Sequence, residues 1–360
     1  MTVHEQRLTQ DKKDIRRRVV AVGEQVCKAV HAAVDSLLLL DLAASAKVIL
    51  GDHPINRETR AINKLCHAFI ARHLPSGAHL RFVSSVLQMN IGLERVGDYA
   101  VTIAREAVQL SKPPPAPLAQ EIRELASSAT EVLTHALSAF ATEDRQAARE
   151  TRPQAATTGK TFERIHRDLT DQVAPIPLRD AFALLTVAHR LNRVSDQARN
   201  LCEETLFELT GETKPPRKYR VLFFEARDTL VAPLAVALAR KAFPESGQYQ
   251  SAGHQAGEHL AQELLTLAHE LSLDLAGITP TRLALERDVL AQYDVIVSLG
   301  AAARQHLTEV PYATVVLEWD VPKLADVARE AMPLRLREIS HYLSNEIHDL
   351  MVTLHGEGAD

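Results

Sequence analysis

Apolar residues recur at helical spacing through the first two hundred positions and then gather into short runs, so the chain reads as two kinds of structure in succession. Ile15, Val19, Val22, Val26, Val30, Val34 and Leu37 fall three or four apart and predict a long amphipathic helix over about 11–41. Its basic residues Lys12, Lys13, Arg16, Arg17 and Arg18 are assigned to the solvated face. A short helix over 42–49 is expected to break at Gly51-Asp52-His53-Pro54, with Asp52 as N-cap of a further helix over 55–73. Leu74-Pro75-Ser76-Gly77 ends that helix, and another covers about 79–111. The proline-rich stretch Lys112 to Pro117 cannot be helical and forms a joint. The layout then repeats, with helices expected over 118–141, 144–150 and 159–172, Pro175-Ile176-Pro177, and a last helix over 178–209. Long helices joined by short loops give two antiparallel three-helix units.

The repetition extends to residues. Leu93-Glu94-Arg95-Val96-Gly97-Asp98 is matched by Leu191-Asn192-Arg193-Val194-Ser195-Asp196, an offset of 98 positions (192 minus 94), and the same offset carries Leu80-Arg81 onto Leu178-Arg179. Residues four apart share a helix face, so Glu94 and Asp98 project two carboxylates about 5–6 Å apart at their Cβ atoms. That pair is either half of a site for an oxygen-preferring metal ion or a solvated acidic face softened by Arg95 and Arg105.

The segment Glu94-Arg95-Val96-Gly97-Asp98-Tyr99-Ala100, with Ile70-Ala71-Arg72, Pro75 and Leu80-Arg81 upstream, resembles the PhoU family of phosphate-signalling proteins over about residues 10–210. The resemblance implies a tandem helical repeat with an acidic motif in each half, partnered by acids on the preceding helix to form a surface metal site. In the first half it points to Glu94, Asp98 and Asp52, with Glu58 nearby and Asn56 where an acid is expected, holding a divalent or iron-type ion. The second half has Asn192 in place of the first acid and keeps Asp196, opposite Arg152, Gln154 and Thr158, so no metal is expected there. His67, His73, His79 and His189 are read as ordinary helix residues rather than further ligands. The resemblance also implies partners: the ATPase of a phosphate ABC transporter and a sensor histidine kinase, with restraint of the phosphate-starvation response.

After the polar, proline-broken stretch 211–218 the period changes. Short runs at 220–224 and 293–299, a strand ending at Ser251-Ala252-Gly253 and another at 314–317 alternate with helical stretches at 232–243, 258–271 and 321–355. This pattern predicts a three-layer α/β domain with a four-stranded parallel sheet, making the whole a multidomain chain: an all-α tandem three-helix-bundle repeat followed by an α/β domain. Boundaries are placed at 1–112, 113–212 and 218–360.

Val221-Leu222-Phe223-Phe224, the loop to Pro233-Leu234-Ala235, Ser251-Ala252-Gly253, Tyr293 to Val297 and Trp319-Asp320 resemble the low-molecular-weight protein tyrosine phosphatase and arsenate reductase family over about 218–355. That family places a nucleophilic cysteine at the start of a phosphate-cradling loop and an arginine-serine pair near its end. By this resemblance Glu225 stands in the nucleophile's place, Val231 in the arginine's and Ala232 in the serine's. No cysteine occurs after Cys202. A carboxylate among amides repels phosphate, so the domain reads as a pseudo-phosphatase, with Glu225 as an internal mimic of the anion and Arg227 and Asp228 hydrogen-bonding across the loop. Asp320-Val321-Pro322 only approximates the family's Asp-Pro general-acid loop.

Bulk properties narrow the classes. The net charge of −5 gives no electrostatic reason for nucleic acid or an anionic membrane as partner. No apolar run approaches the roughly 20 residues of a membrane span, and no signal peptide is visible, so a cytoplasmic protein is expected. Cys27, Cys66 and Cys202 lie far apart in helical patterns and read as small buried hydrophobes. The expected function is a non-catalytic, dimer-forming regulator acting by helix-face contact, with the pseudo-phosphatase domain as a docking or anion-sensing module. The alternative is a phosphatase or reductase using Glu225 or Asp228 as a non-cysteine nucleophile.

Overall fold

The computed structural model describes residues 2–170, 176–213, 217–308, 310–322 and 331–356. The chain divides into two compact units, Met1–Lys214 and Pro215–Asp360.

The first unit is all helical. Helix α1 (Val3–Leu39) starts eight residues earlier than the apolar periodicity alone gives, because Thr2 and Glu5 form a reciprocal capping box. The expected short helix, break and second helix are instead one continuous helix, α2 (Leu42–His73), capped by Asp41, whose carboxylate accepts from the Ala44 N–H at 2.9 Å. Asp52 is therefore an interior residue and not an N-cap. Pro54 removes one N–H, yet Val48, Ile55, Ile62, Cys66 and Phe69 stay in phase on one buried face across it. Burial of that unbroken stripe outweighs the roughly 3 kcal/mol that an interior proline costs.

Helix α3 (Gly77–Gln109) completes the first repeat. In the second, α4 (Ala116–Thr142) admits Pro117 into its first turn, where a missing donor does no harm. Helix α5 (Arg145–Thr151), a 3-10 turn (Arg152–Ala156) and α6 (Thr157–Thr170) follow without a gap, and α7 (Leu178–Thr210) ends at Gly211 in the left-handed region. The expected positions Gln172 and Pro175 lie outside the described residues.

Helices α3 and α7 run antiparallel at the centre of the unit. Ser85 Oγ donates to the Glu204 carbonyl at 3.0 Å near one end, and Ser111 Oγ to Asp180 at 2.5 Å near the other. Arg16 departs from the solvated-face expectation: it is buried, donates to the Phe140 carbonyl, and pairs with Glu208 at 2.5 Å and Glu143 at 2.9 Å. Cys66 and Cys202 are buried, and burial pushes both thiols up to about 12, while Cys27 is only partly buried.

The second unit is a three-layer α/β fold. Strands β1 (Tyr219–Glu225), β2 (Gly247–Gly253), β3 (Val295–Leu299) and β4 (Val315–Trp319) form a parallel sheet in the order β2-β1-β3-β4. Alternation along β1 sends Val221 and Phe223 to the face covered by α8 (Val231–Ala242), α9 (Gln262–Glu270) and α12 (Met332–His355). Leu222 and Phe224 go to the other, with Leu290, Ile296 and Leu307. Short helices α10 (Arg287–Leu290) and α11 (Ala301–Arg304) precede and follow β3. The helix expected over 258–271 begins only at Gln262, since residues 257–261 are laid along the loop after β1. Val321 and Pro322 are not helical, and positions 323–330 lie outside the described residues.

Candidate functional site

The first repeat gathers carboxylates around a bare glycine. Asp52 and Asn56 are one turn apart on α2, and the Asn56 amide donates to Asp52 Oδ2 at 2.5 Å. This leaves Asp52 Oδ1 and Asn56 Oδ1 buried with no hydrogen-bond partner. Opposite them on α3 lies Gly97, where a Cβ would stand 3.0 Å from Asp52 Oδ1, so a side chain there would crowd the carboxylate. Asp98 is the next residue. Partial burial and the like charges of Asp52 and Glu94 raise its carboxyl above the ordinary range, and no Lys or Arg pairs with Asp52, Glu94 or Asp98 among the described residues.

Orphaned buried oxygens beside an uncompensated carboxylate are the donor chemistry of a hard cation. No group of three or more His, Cys, Asp or Glu side chains is gathered tightly enough to hold a metal ion among the described residues. The donors that fit are Asp52, Asn56 and Asp98, two carboxylates and a carboxamide, with Glu94 one turn along. That set matches one oxygen-ligated divalent ion and offers nothing for a thiolate- or imidazole-bound metal. Glu58 pairs with Arg18 at 3.1 Å and does not join it. The histidines stand elsewhere: His73 contacts Asp11 at 2.9 Å, His189 packs edge-on to Phe162, and His67 and His79 are exposed.

The second repeat fills the equivalent place internally. Asp196 is held between Arg193 at 2.8 Å and Arg199 at 3.2 Å, and Asn192 Oδ1 accepts from Thr158 Oγ at 3.2 Å.

In the α/β unit the loop between β1 and α8 closes on its own carboxylate. Glu225 Oε1 accepts the N–H of Thr229 at 2.9 Å and of Leu230 at 3.1 Å, and Oε2 accepts that of Val231 at 3.3 Å. Val231 and Ala232 are buried at the first turn of α8 and contribute backbone rather than side-chain chemistry. Burial pushes the Glu225 carboxyl up, against the lowering effect of these amides. The outer edge of the loop is equally committed: the carbonyls of Glu225, Ala226, Arg227 and Thr229 accept from the N–H groups of His254, Gln255, Gly257 and Ala261.

Arg227 and Asp228 do not bond across the loop. Arg227 is exposed, whereas Asp228 is fully buried at φ +54° and accepts the Thr281 N–H at 2.7 Å, with Oδ1 unpartnered. Desolvation lifts Asp228 from 3.8 to about 6, with the Ser251 hydroxyl and Thr281 N–H opposing it and the Glu225 charge adding to it. Sequence reasoning missed Thr281 and the stitching by residues 254–261. The available signal was Gly253, whose Cβ would come within 2.9 Å of the Asp228 nitrogen.

The PhoU domain family model matches residues 19–107 and 122–205, and the N-terminal 210 or so residues carry a PhoU domain. A phosphate-specific transport system accessory protein PhoU homolog of Pseudomonas aeruginosa is 29% identical over 209 residues, covering 57% of this chain and 86% of that protein. The crystal structure of PhoU from Pseudomonas aeruginosa superposes with a TM-score of 0.53 at 29% identity, over 57% of this chain and 99% of that one. The C-terminal part is similar in fold to low-molecular-weight tyrosine phosphatases and arsenate reductases. Against the tyrosine phosphatase Wzb from Escherichia coli K30 the identity is 18% and the TM-score 0.31, over 37% of this chain and 99% of that one. No helix among the described residues is long and apolar enough to cross a membrane.

Proposed function

We propose that this chain is a non-catalytic regulator of phosphate transport and of phosphate-starvation signalling. It acts by contact with the transporter's ATPase and a sensor histidine kinase, and carries a pseudo-phosphatase domain as a docking module. The PhoU domain supports the first part. One observation carries the second: the three amides that would cradle a substrate oxyanion are taken by Glu225. A divalent cation held by Asp52, Asn56 and Asp98 would neutralise the uncompensated carboxylates of the first repeat and tie α2 to α3.

Two measurements test this reading. Pull-down of the transporter ATPase by the full chain is expected, and its absence with and without phosphate would remove the regulatory assignment. Hydrolysis of p-nitrophenyl phosphate should stay at background. Turnover abolished by Glu225→Gln, with a hydroxylamine-sensitive acyl-phosphate, would establish the enzyme alternative instead.

A further inference from the structure

Helix α2 carries a basic line that the acidic pocket beside it does not use. His53, Arg57, Arg60, Lys64 and His67 are all exposed and spaced four, three, four and three apart, so they lie along one face of the helix over about 21 Å. Arg57, Arg60 and Lys64 take no ion pair among the described residues, whereas Arg17, Arg72, Arg164 and Arg193 of the same unit each hold a carboxylate. The single acid within the line's span, Glu58, turns away to Arg18. In the second repeat the exposed cation Arg164 of α6 is neutralised by Glu121 at 2.6 Å. The unpaired line thus stands in a chain whose net charge is −5.

We propose that this face of α2 docks an acidic helix of a partner protein, one with carboxylates at matching three- and four-residue spacing. Charge complementarity sets the chemistry, and the 21 Å line sets the shape: a straight row of cations on a helix is matched by a straight row of anions on another. A planar anionic bilayer fits less well, because it offers no single row of charges for the line to match. Contacts among exposed charges are individually weak and screened, so the docking is salt-sensitive and serves registration and encounter rate. A docking face of this kind gives the contact-based regulator above a working surface, and the proposal rests on that reading. The peptide test below needs no transporter ATPase, so either can fail alone.

The test uses the full chain and a fluorescein-labelled, alanine-rich helical peptide bearing glutamates at positions i, i+4, i+7 and i+11, followed by anisotropy in about 50 mM salt. A second peptide of the same composition has its glutamates scattered around the helix. The row peptide is expected to bind at least about fivefold tighter than the scattered one, to weaken about tenfold by 300 mM salt, and to be lost in Arg57→Glu/Arg60→Glu/Lys64→Glu. These exposed substitutions should leave thermal unfolding unchanged, and Arg57→Gln/Arg60→Gln/Lys64→Gln should give intermediate binding. Equal binding of both peptides, or undiminished binding by the charge-reversed variant, would overturn the proposal. So would equal or tighter binding to phosphatidylglycerol vesicles that the charge reversal abolishes.

Discussion

Asp98 and Asp196 occupy equivalent places in the two repeats, 98 positions apart, yet their surroundings are opposite. Asp98 sits beside Asp52 and Glu94 with no ion pair to a Lys or Arg among the described residues, and its carboxyl is raised. Asp196 is clamped by Arg193 and Arg199. Glu225 adds a third arrangement in the α/β unit, where a carboxylate is met by backbone amides instead of side chains. The same functional group is thus left without an ion pair, closed by internal cations, or used as an internal ligand. What differs is the set of neighbours that share its cost of desolvation.

The largest expected effect comes from breaking the closed loop. Glu225→Ala leaves three amides unpaired and should destabilise the α/β unit by about 2–4 kcal/mol. The chain's single tryptophan, Trp319, packs on Phe223 with 5.8 Å between ring centres, so its fluorescence reports this unit in a urea titration. Millimolar phosphate or sulfate should recover part of the loss in the variant and leave the parent unmoved. A variant as stable as the parent would remove the internal-ligand description.

Next comes the buried neighbour of that loop. The folded-state pKa of Asp228, about 6, lies above its unfolded value of 3.8, so the folded state holds the proton more tightly. Stability of the α/β unit should therefore rise as pH falls from about 6 toward 4 and decline as pH climbs through 6. The contribution is on the order of 2–3 kcal/mol. Asp228→Asn should flatten this part of the Trp319-monitored profile, and a slope kept intact would assign it to another group.

A smaller effect is expected at the open site. Asp52→Asn, or Gly97→Ala with its methyl against Asp52 Oδ1, should weaken Mn2+ binding at least about tenfold by isothermal titration calorimetry, equivalent to about 1.4 kcal/mol. Because the Asp98 carboxyl is raised, the ion competes with a proton and affinity in the parent should fall on acidification. Identical titrations for parent and variants would leave the acids as a plain surface feature. The smallest effect sharpens the comparison from the other side. Asn192→Glu restores the second acid, yet should add no cation site while Arg193 and Arg199 hold Asp196. A second equivalent of bound Mn2+ would show that the arginine clamp is not what closes the second repeat.

Much of this was legible in residue order. The offset of 98 aligned the two acidic motifs, the three- and four-residue apolar spacing gave the long helices, and the β1 run ending in Glu225 gave the strand and the loop after it. Each of these depends on local periodicity or on the identity of one residue at one place. The misreadings have a common cause. Gly51 and Pro54 are helix breakers by propensity, but the buried stripe from Val48 to Phe69 holds α2 together through them. Arg16 carries a surface composition, but Glu208, 192 positions away, makes its burial tolerable. Asp228 looks like a loop residue facing its neighbour Arg227, but its oxygen goes to the Thr281 N–H, 53 positions on.

The sequence by itself determined the two kinds of structure, their order, the duplication, and which positions carry acids, because helix and strand periods and side-chain chemistry are properties of neighbours in the chain. Only the tertiary structure decided which acids are open and which are closed. Hydrogen-bond partners, burial and like-charge repulsion arise between groups far apart in sequence, and it is those that separate Asp98 from Asp196 and seat Glu225 on its own loop.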